Sequence, residues 1–253
     1  MLLFLVIGRF PFLITIASIF VGSFFANFSS VISTLVVLGI ILLGIFMTLL
    51  TSKFLSKTVL INLPSTFILE LPPYRKPQFS KVLIRSIFDR TLFVLGRAVS
   101  VAAPTGLVIW IFSNVFIGNT SILTYVADFL DPFANILGLD GYILTAFLLG
   151  LPANEIVLPI ILMAYLQKGI LVDLEDTFSI GQILLDNGWT LLTAINVMIF
   201  TLLHFPCATT LMTIKKETGS YKWSILAFLL PTVCGIVICM CTTLLWNLFS
   251  LAI

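Results

Sequence analysis

The chain has 253 residues, of which 60% are hydrophobic and 9% charged, with a formal net charge of +2; its mean hydropathy is +1.19. Soluble domains carry about 25% charged and 45–50% apolar residues, so the composition excludes a water-soluble globule. It sets lipid as the solvent of an all-α integral membrane protein, with nucleic acid not an expected partner.

The hydrophobic segments number five or six and follow one another along the chain. The first runs about Phe10–Phe28 and the second about Val31–Leu50, with Ser29 and Ser30 expected in a tight turn of an antiparallel hairpin. Met1–Ile7 is apolar but lacks a basic flank and a cleavage site, so no cleaved signal peptide is expected. A third segment runs about Val99–Ile117. The fourth, Tyr142–Leu166, is interrupted at Gly150-Leu-Pro152, and the fifth, Trp189–Leu211, at Pro206. The sixth, Trp223–Phe249, contains Pro231 and Gly235.

Charge is unevenly spread between these segments. Lys53 to Arg97 holds eight basic residues (Lys53, Lys57, Arg75, Lys76, Lys81, Arg85, Arg90, Arg97) against Glu70 and Asp89, a balance of +6. The positive-inside rule puts this loop in the cytoplasm. The i, i+4 spacing of Lys81, Arg85 and Asp89 fits either an interfacial helix or a solvated one. Asn119–Asp140 carries Asp128, Asp131 and Asp140 with no lysine or arginine, as expected of an outer loop.

If Tyr142–Leu166 crossed fully, the acidic loop Lys168–Asp186 would fall inside and the basic turn Lys215–Lys222 outside. A re-entrant hairpin that turns at Pro152 sends both loops where their charge prefers. Its arms of about 10–14 residues would reach mid-bilayer, ~15–21 Å at 1.5 Å per residue. The hairpin is the expectation.

The break at Gly150-Leu-Pro-Ala-Asn-Glu-Ile-Val-Leu-Pro159 carries Glu155 near the middle of an apolar segment. A carboxylate there must be paired, metal-bound or wet. Pro152 and Pro159 lack amide donors, and freed backbone groups at membrane depth are tolerated only in protein or at an aqueous cavity. Discontinuous helices of this kind build ion sites in transporters. The structural alternative is a protonated Glu155 bonded to Asn154 or to a neighbouring helix.

The second break is His204-Phe-Pro-Cys-Ala-Thr-Thr210. Pro206 removes a helical bond beside Cys207, whose sulfur suits a borderline-soft transition metal; the alternative is a small packed hydrophobe. Thr209 and Thr210 can add hydroxyl ligands or back-bond to the helix. His204 is open to three roles, as ligand, proton relay or interfacial helix residue, of which the last is expected. It is the single histidine, so no multi-histidine metal site is available within the chain. Cys234, Cys239 and Cys241 have no break around them and are expected to pack; no CxxC pair occurs. Walker A, Rossmann, HExxH and GxSxG motifs are all lacking, so no enzyme activity is expected.

Four strings together resemble ferrous iron transport protein B: Glu70-Leu-Pro-Pro-Tyr-Arg-Lys-Pro77, Leu151-Pro-Ala-Asn-Glu-Ile-Val-Leu-Pro159, Phe205-Pro-Cys-Ala-Thr209 and Lys216-Glu-Thr-Gly-Ser-Tyr-Lys-Trp223. The resemblance runs from about Ile7 to the C-terminus. It implies a Fe²⁺ permease of the bacterial cytoplasmic membrane, built from gate (nucleoside-recognition-like) repeats. Fe²⁺ would be the transported substrate, with no permanently bound cofactor.

Domains are expected at 1–58 (a transmembrane hairpin of the family's C-terminal type), 59–97 (a basic cytoplasmic or interfacial segment) and 98–253 (a second gate). By resemblance Glu155 matches the acidic residue of the second gate and Cys207 its Pro-Cys cysteine, and these are the expected metal residues; the two breaks put Pro152, Asn154, His204, Pro206 and Thr209 along the expected pathway. The family's GTP-binding domain and most of its first gate are not found here, and Val6 stands near where the family has a cysteine. A separate GTPase or first-gate subunit is therefore an expected partner, and a homo-oligomer is open. Two other functions compete: a gate-type carrier of nucleosides or other solutes, and a non-transporting subunit of a split transporter.

Overall fold

The computed structural model describes residues 10–24, 29–58, 91–118, 120–167, 169–171 and 176–252. Residues 59–90 of the basic segment and the position of Val6 lie outside them. Helix α1 (Phe10–Phe24) and helix α2 (Ser29–Thr58) pack as a hairpin, tied where Ser33 Oγ donates to Ala17 O (3.2 Å). Ser29 and Ser30 are not turn residues but open α2, which runs to Thr58, past the expected Leu50. The inner face of α1 carries Leu13, Ile16, Ala17 and Phe20 at helical spacing, all buried, whereas α2 leaves Leu35, Leu42, Phe46 and Leu49 exposed. A helix apolar all round belongs in lipid.

Helix α3 (Phe93–Asn114) ends short of the expected Ile117, because Phe116–Ile117 (β1) pairs antiparallel with Thr120–Ser121 (β2). The stretch read as an outer loop is instead helix α4 (Ile122–Ile136), capped by Ser121, whose hydroxyl accepts from Thr124 N. Leu123, Ala127 and Ala134 face inward while Phe129 and Phe133 are 72% and 59% exposed. That division is typical of a helix lying in the bilayer interface.

Helix α5 (Gly141–Leu149) leaves α4 at a bend of 109°. The two helices touch backbone to backbone: a Cβ on Gly141 would sit 2.0 Å from Ala127 O. A turn over Gly150–Ala153 and a 3-10 turn over Asn154–Ile156 lead into helix α6 (Val157–Tyr165), with Pro159 in its first turn, where a missing amide costs least.

Helices α5 and α6 run side by side in opposite directions. At the open end Tyr165 Oη donates to Asp140 Oδ2, and the Tyr142 and Tyr165 rings meet edge to face at 5.7 Å. At the tip Gly150 lies against Val157. Trp189 Nε1 donates to Tyr165 Oη (2.8 Å), and the Trp189 ring stacks on Phe20 of α1 at 5.7 Å. Each arm has nine residues, about 14 Å at 1.5 Å per residue, or half of a ~30 Å hydrocarbon core. The segment is therefore two short antiparallel helices broken at Gly150–Ala153, as the sequence predicts.

Helix α7 (Thr177–Asp186) was also read as loop; Asp176 starts it by accepting from Phe178 N and Ser179 N. Hydrogen bonds from the Ser179 side chain and the Phe178 amide hold this exposed carboxyl below the usual range.

Helix α8 (Leu191–Leu203), a break at His204–Cys207 and helix α9 (Ala208–Thr218) continue in one direction. The long helix α10 (Tyr221–Ala252) runs back along both without interruption at Pro231. The registry is explicit: Thr243 meets Asn196 (3.0 Å), Gly235 meets Leu203, Phe228 stacks on Phe205 (4.8 Å), and Ser224 Oγ donates to Leu211 O (3.0 Å).

By length and composition three helices can cross a membrane: Ser30–Lys57, Leu191–Thr218 and Tyr221–Ser250. The shorter apolar helices Pro11–Phe20, Ala98–Asn114 and Asn154–Tyr165 complete an all-α bundle. Charge sorts with this topology. Among the described residues Asp128, Asp131, Asp140 and Asp176 lie at the hairpin's open end, whereas Lys53, Lys57, Lys215, Lys216 and Lys222 lie at the opposite end, with Glu217.

Candidate functional site

Two chain breaks occur at membrane depth, and the fold brings them into contact. Pro206 cannot donate, so α8 ends at Leu203 with its last carbonyls released. Gly235 lets the backbone of α10 approach this end, since a Cβ there would lie 3.3 Å from Leu203 O. The chain resumes helically at Ala208, with Cys207 at the cap position in extended geometry (φ −61°, ψ 157°). Ala208 N donates to Leu151 O (2.8 Å), so the carbonyl at the hairpin tip occupies the amide end of α9. A helix N-terminus favours such an electron-rich partner.

His204 joins the two breaks. It is 2% exposed, which corrects the expectation of an interfacial residue. Its ring stacks on Phe200 (5.7 Å) and meets the edges of Phe147 (4.9 Å) and Phe205 (5.0 Å). Nδ1 lies 2.9 Å from both Phe200 O and Thr201 O, so the side chain caps the broken end of α8. Nε2 lies 3.3 Å from Asn154 Oδ1 at the hairpin tip.

The remaining expected site residues distribute around this junction. Pro152 and Asn154 are half-buried in the tip, and Pro206 is buried in the opposing break. Cys207 is half-buried, its Sγ 3.1 Å from both Thr209 Oγ1 and Thr210 Oγ1. Glu155, in the 3-10 turn, is exposed rather than enclosed. Glu155 and Cys207 thus stand one on each break, and Asn154 with His204 is a side-chain pair that the structure brings together across them. Among the described residues no group of three or more His, Cys, Asp or Glu gathers in a way that could hold a metal. Any ion here would need carbonyl and hydroxyl oxygens as further ligands.

The sequence reading missed the burial of His204. Its neighbours carried a signal: Leu202, Leu203 and Phe205 are apolar, and a helix end two residues before proline has carbonyls for an imidazole to cap.

Membrane-length helices, an antiparallel pair of short apolar helices and a span broken where the tip of that pair meets it define a polytopic α-helical membrane protein. Residues 37–89 match the family profile described as "Ferrous iron transport protein B C terminus" and residues 95–221 the one described as "Nucleoside recognition". The chain belongs to the ferrous iron transport protein B family, as part of its membrane region.

It is 35% identical over 229 residues to a Staphylococcus aureus protein named "Fe(2+) transporter FeoB", a match covering 87% of this chain and 32% of the relative. Relatives of the same name in Methanocaldococcus jannaschii (25% identity, 92% of this chain and 35% of the relative) and Campylobacter jejuni (24%, 83% and 36%) are also similar. The chain spans about a third of the length of these curated relatives. No solved structure matches it.

Proposed function

We propose that this chain is the second-gate part of a Fe²⁺ permease, and that the ion passes the junction of the two helix breaks. The observation that carries the reading is the contact itself, Leu151 O with Ala208 N and Asn154 with His204. Broken helices that face each other at mid-membrane supply what a moving ion requires: released backbone carbonyls, helix ends and a few side-chain donors. A pathway must bind weakly enough to let go, and a junction without a closed cluster of strong ligands meets that condition.

An exposed Glu155 at this depth is costly against lipid, roughly 2.5–3.5 kcal/mol for a central acid, so it faces water or another protein surface. In this reading Glu155 replaces hydration charge, while Cys207, backed by Thr209 and Thr210, favours a transition metal over Mg²⁺. The lysine-bearing end lies in the cytoplasm of a bacterial cell. A GTPase and a first gate, on another segment or subunit, complete the machine.

The rival reading, a nucleoside carrier, needs open aromatic faces on which a base can stack. Phe147, Phe200 and Phe205 are only 1–3% exposed, closed around His204, which favours the ion.

The test is Fe²⁺ uptake in the native host. Glu155→Gln should lower uptake about tenfold or more, since even the loss of a group that only supports a metal ligand costs about 10–100-fold, and Cys207→Ser should lower it by less. Parental uptake by both variants would show that the breaks are only structural.

A further inference from the structure

We propose that His204 is a positioning residue that latches the hairpin tip to the broken span and turns the amide oxygen of Asn154 towards the pathway. The inference rests on the permease reading for what the latch serves, but the latch itself follows from hydrogen-bond accounting. Nδ1 has two carbonyl oxygens at 2.9 Å. A carbonyl can only accept, so Nδ1 must carry the ring proton.

In the neutral ring Nε2 is then a lone pair and requires a donor. The group facing it at 3.3 Å is the side-chain amide of Asn154, and a half-turn of that amide presents its nitrogen, a donor, in place of its oxygen. Satisfying Nε2 places the amide nitrogen of Asn154 against His204. The amide oxygen therefore points away from the ring, as a neutral oxygen ligand beside Glu155.

The ring cannot tilt to escape this arrangement. Phe147, Phe200 and Phe205 enclose it, and the edge of the imidazole is fixed by the end of α8. His204 thus carries the geometry of one break to the other. It is a side-chain tie between the two breaks, beside the backbone tie from Ala208 N to Leu151 O. Separating the tip from the span means breaking both ties, and Cys207, directly before Ala208, is uncovered when they part.

Two substitutions divide the roles of the ring. His204→Asn keeps a donor at the Nδ1 position, so α8 remains capped, but cannot reach Asn154. His204→Gln reaches Asn154 with its terminal amide but has nothing at Nδ1. In a Cys234→Ala, Cys241→Ala background, modification of Cys207 by a maleimide is timed in membranes, and the KM and maximal rate of Fe²⁺ uptake are measured in cells. His204→Asn should speed labelling about fivefold to tenfold, the factor for one ordinary hydrogen bond. It should also raise KM with little change in maximal rate.

His204→Gln should return labelling towards the parent. Unchanged labelling and KM in His204→Asn would overturn the latch, as would equal effects of the two variants, which indicate packing alone. Labelling does not depend on which ion is carried. Faster labelling in His204→Asn, with no Fe²⁺ uptake even in the parent, would therefore support the latch and overturn the iron reading.

Discussion

Replacing Gly141 by alanine should unseat the re-entrant hairpin from the helix that supports it. The added Cβ would lie 2.0 Å from Ala127 O, 2.8 Å from Ala127 C and 3.1 Å from Asp131 N, all backbone atoms. No rotamer change can relieve a clash with backbone. Restoring an ordinary contact of about 3.4 Å to the carbonyl requires α4 and α5 to part by roughly 1.4 Å. That movement breaks the bond from Gly141 N to Asp131 Oδ1 (3.0 Å). Overpacking costs typically ~1–3 kcal/mol and the bond about 1 kcal/mol, so a loss of about 2–4 kcal/mol is expected.

At roughly 2–4 °C per kcal/mol for a chain of this size, the midpoint of thermal unfolding in detergent should fall about 4–16 °C. Gly106→Ala is the control, because nothing lies within 4 Å of a Cβ there and alanine favours helix by up to ~1 kcal/mol. A parental midpoint for Gly141→Ala would refute the backbone contact between α4 and α5.

Asn196→Leu removes both Nδ2 bonds, to Leu137 O (2.9 Å) and Thr243 Oγ1 (3.0 Å), and the bond that Oδ1 accepts from Thr242. At ~0.6 kcal/mol per interhelical bond in membrane proteins, the loss is ~2 kcal/mol, and the unfolding midpoint should drop roughly 4–8 °C. Thr242 and Thr243 retain Cys239 O as acceptor, so a collapse of the fold would mean that the pair does more than this bonding explains. Sidedness is equally direct: a cysteine replacing Asp128 should react with an impermeant reagent in intact cells, and one replacing Lys216 only after permeabilisation. The reverse pattern inverts the topology.

The broken segments were legible because proline states its consequence locally. Gly150-Leu-Pro152 and Phe205-Pro-Cys207 marked where the helices break, and the charges of the flanking loops favoured a return of Tyr142–Leu166. Helices α4 and α7 were hidden by their acids. Asp128, Asp131 and Pro132 read as loop, although Ser121 and the buried series Leu123, Ala127 and Ala134 carry the cap and spacing of a helix. Asp176 likewise was a cap, read as loop charge.

The Asn154–His204 contact spans fifty positions of sequence, and no local pattern encodes it. It follows from the hairpin tip reaching the same depth as Pro206. The exposure of Glu155 escaped for a related reason: an acid in an apolar run signals a special environment but not which surface supplies it.

The central claim is that an ion on its way through this protein meets the two breaks together, and the native thiol of Cys207 reports on it. Membranes carrying the Cys234→Ala, Cys241→Ala protein would be labelled at Cys207 with a maleimide, anaerobically, across a range of Fe²⁺ and of Mg²⁺ concentrations. Fe²⁺ should slow labelling in the range that supports uptake, Mg²⁺ should not, and Glu155→Gln should weaken the protection. Labelling of Cys207 at one rate with or without Fe²⁺, at concentrations that saturate uptake, would place the ion's route elsewhere.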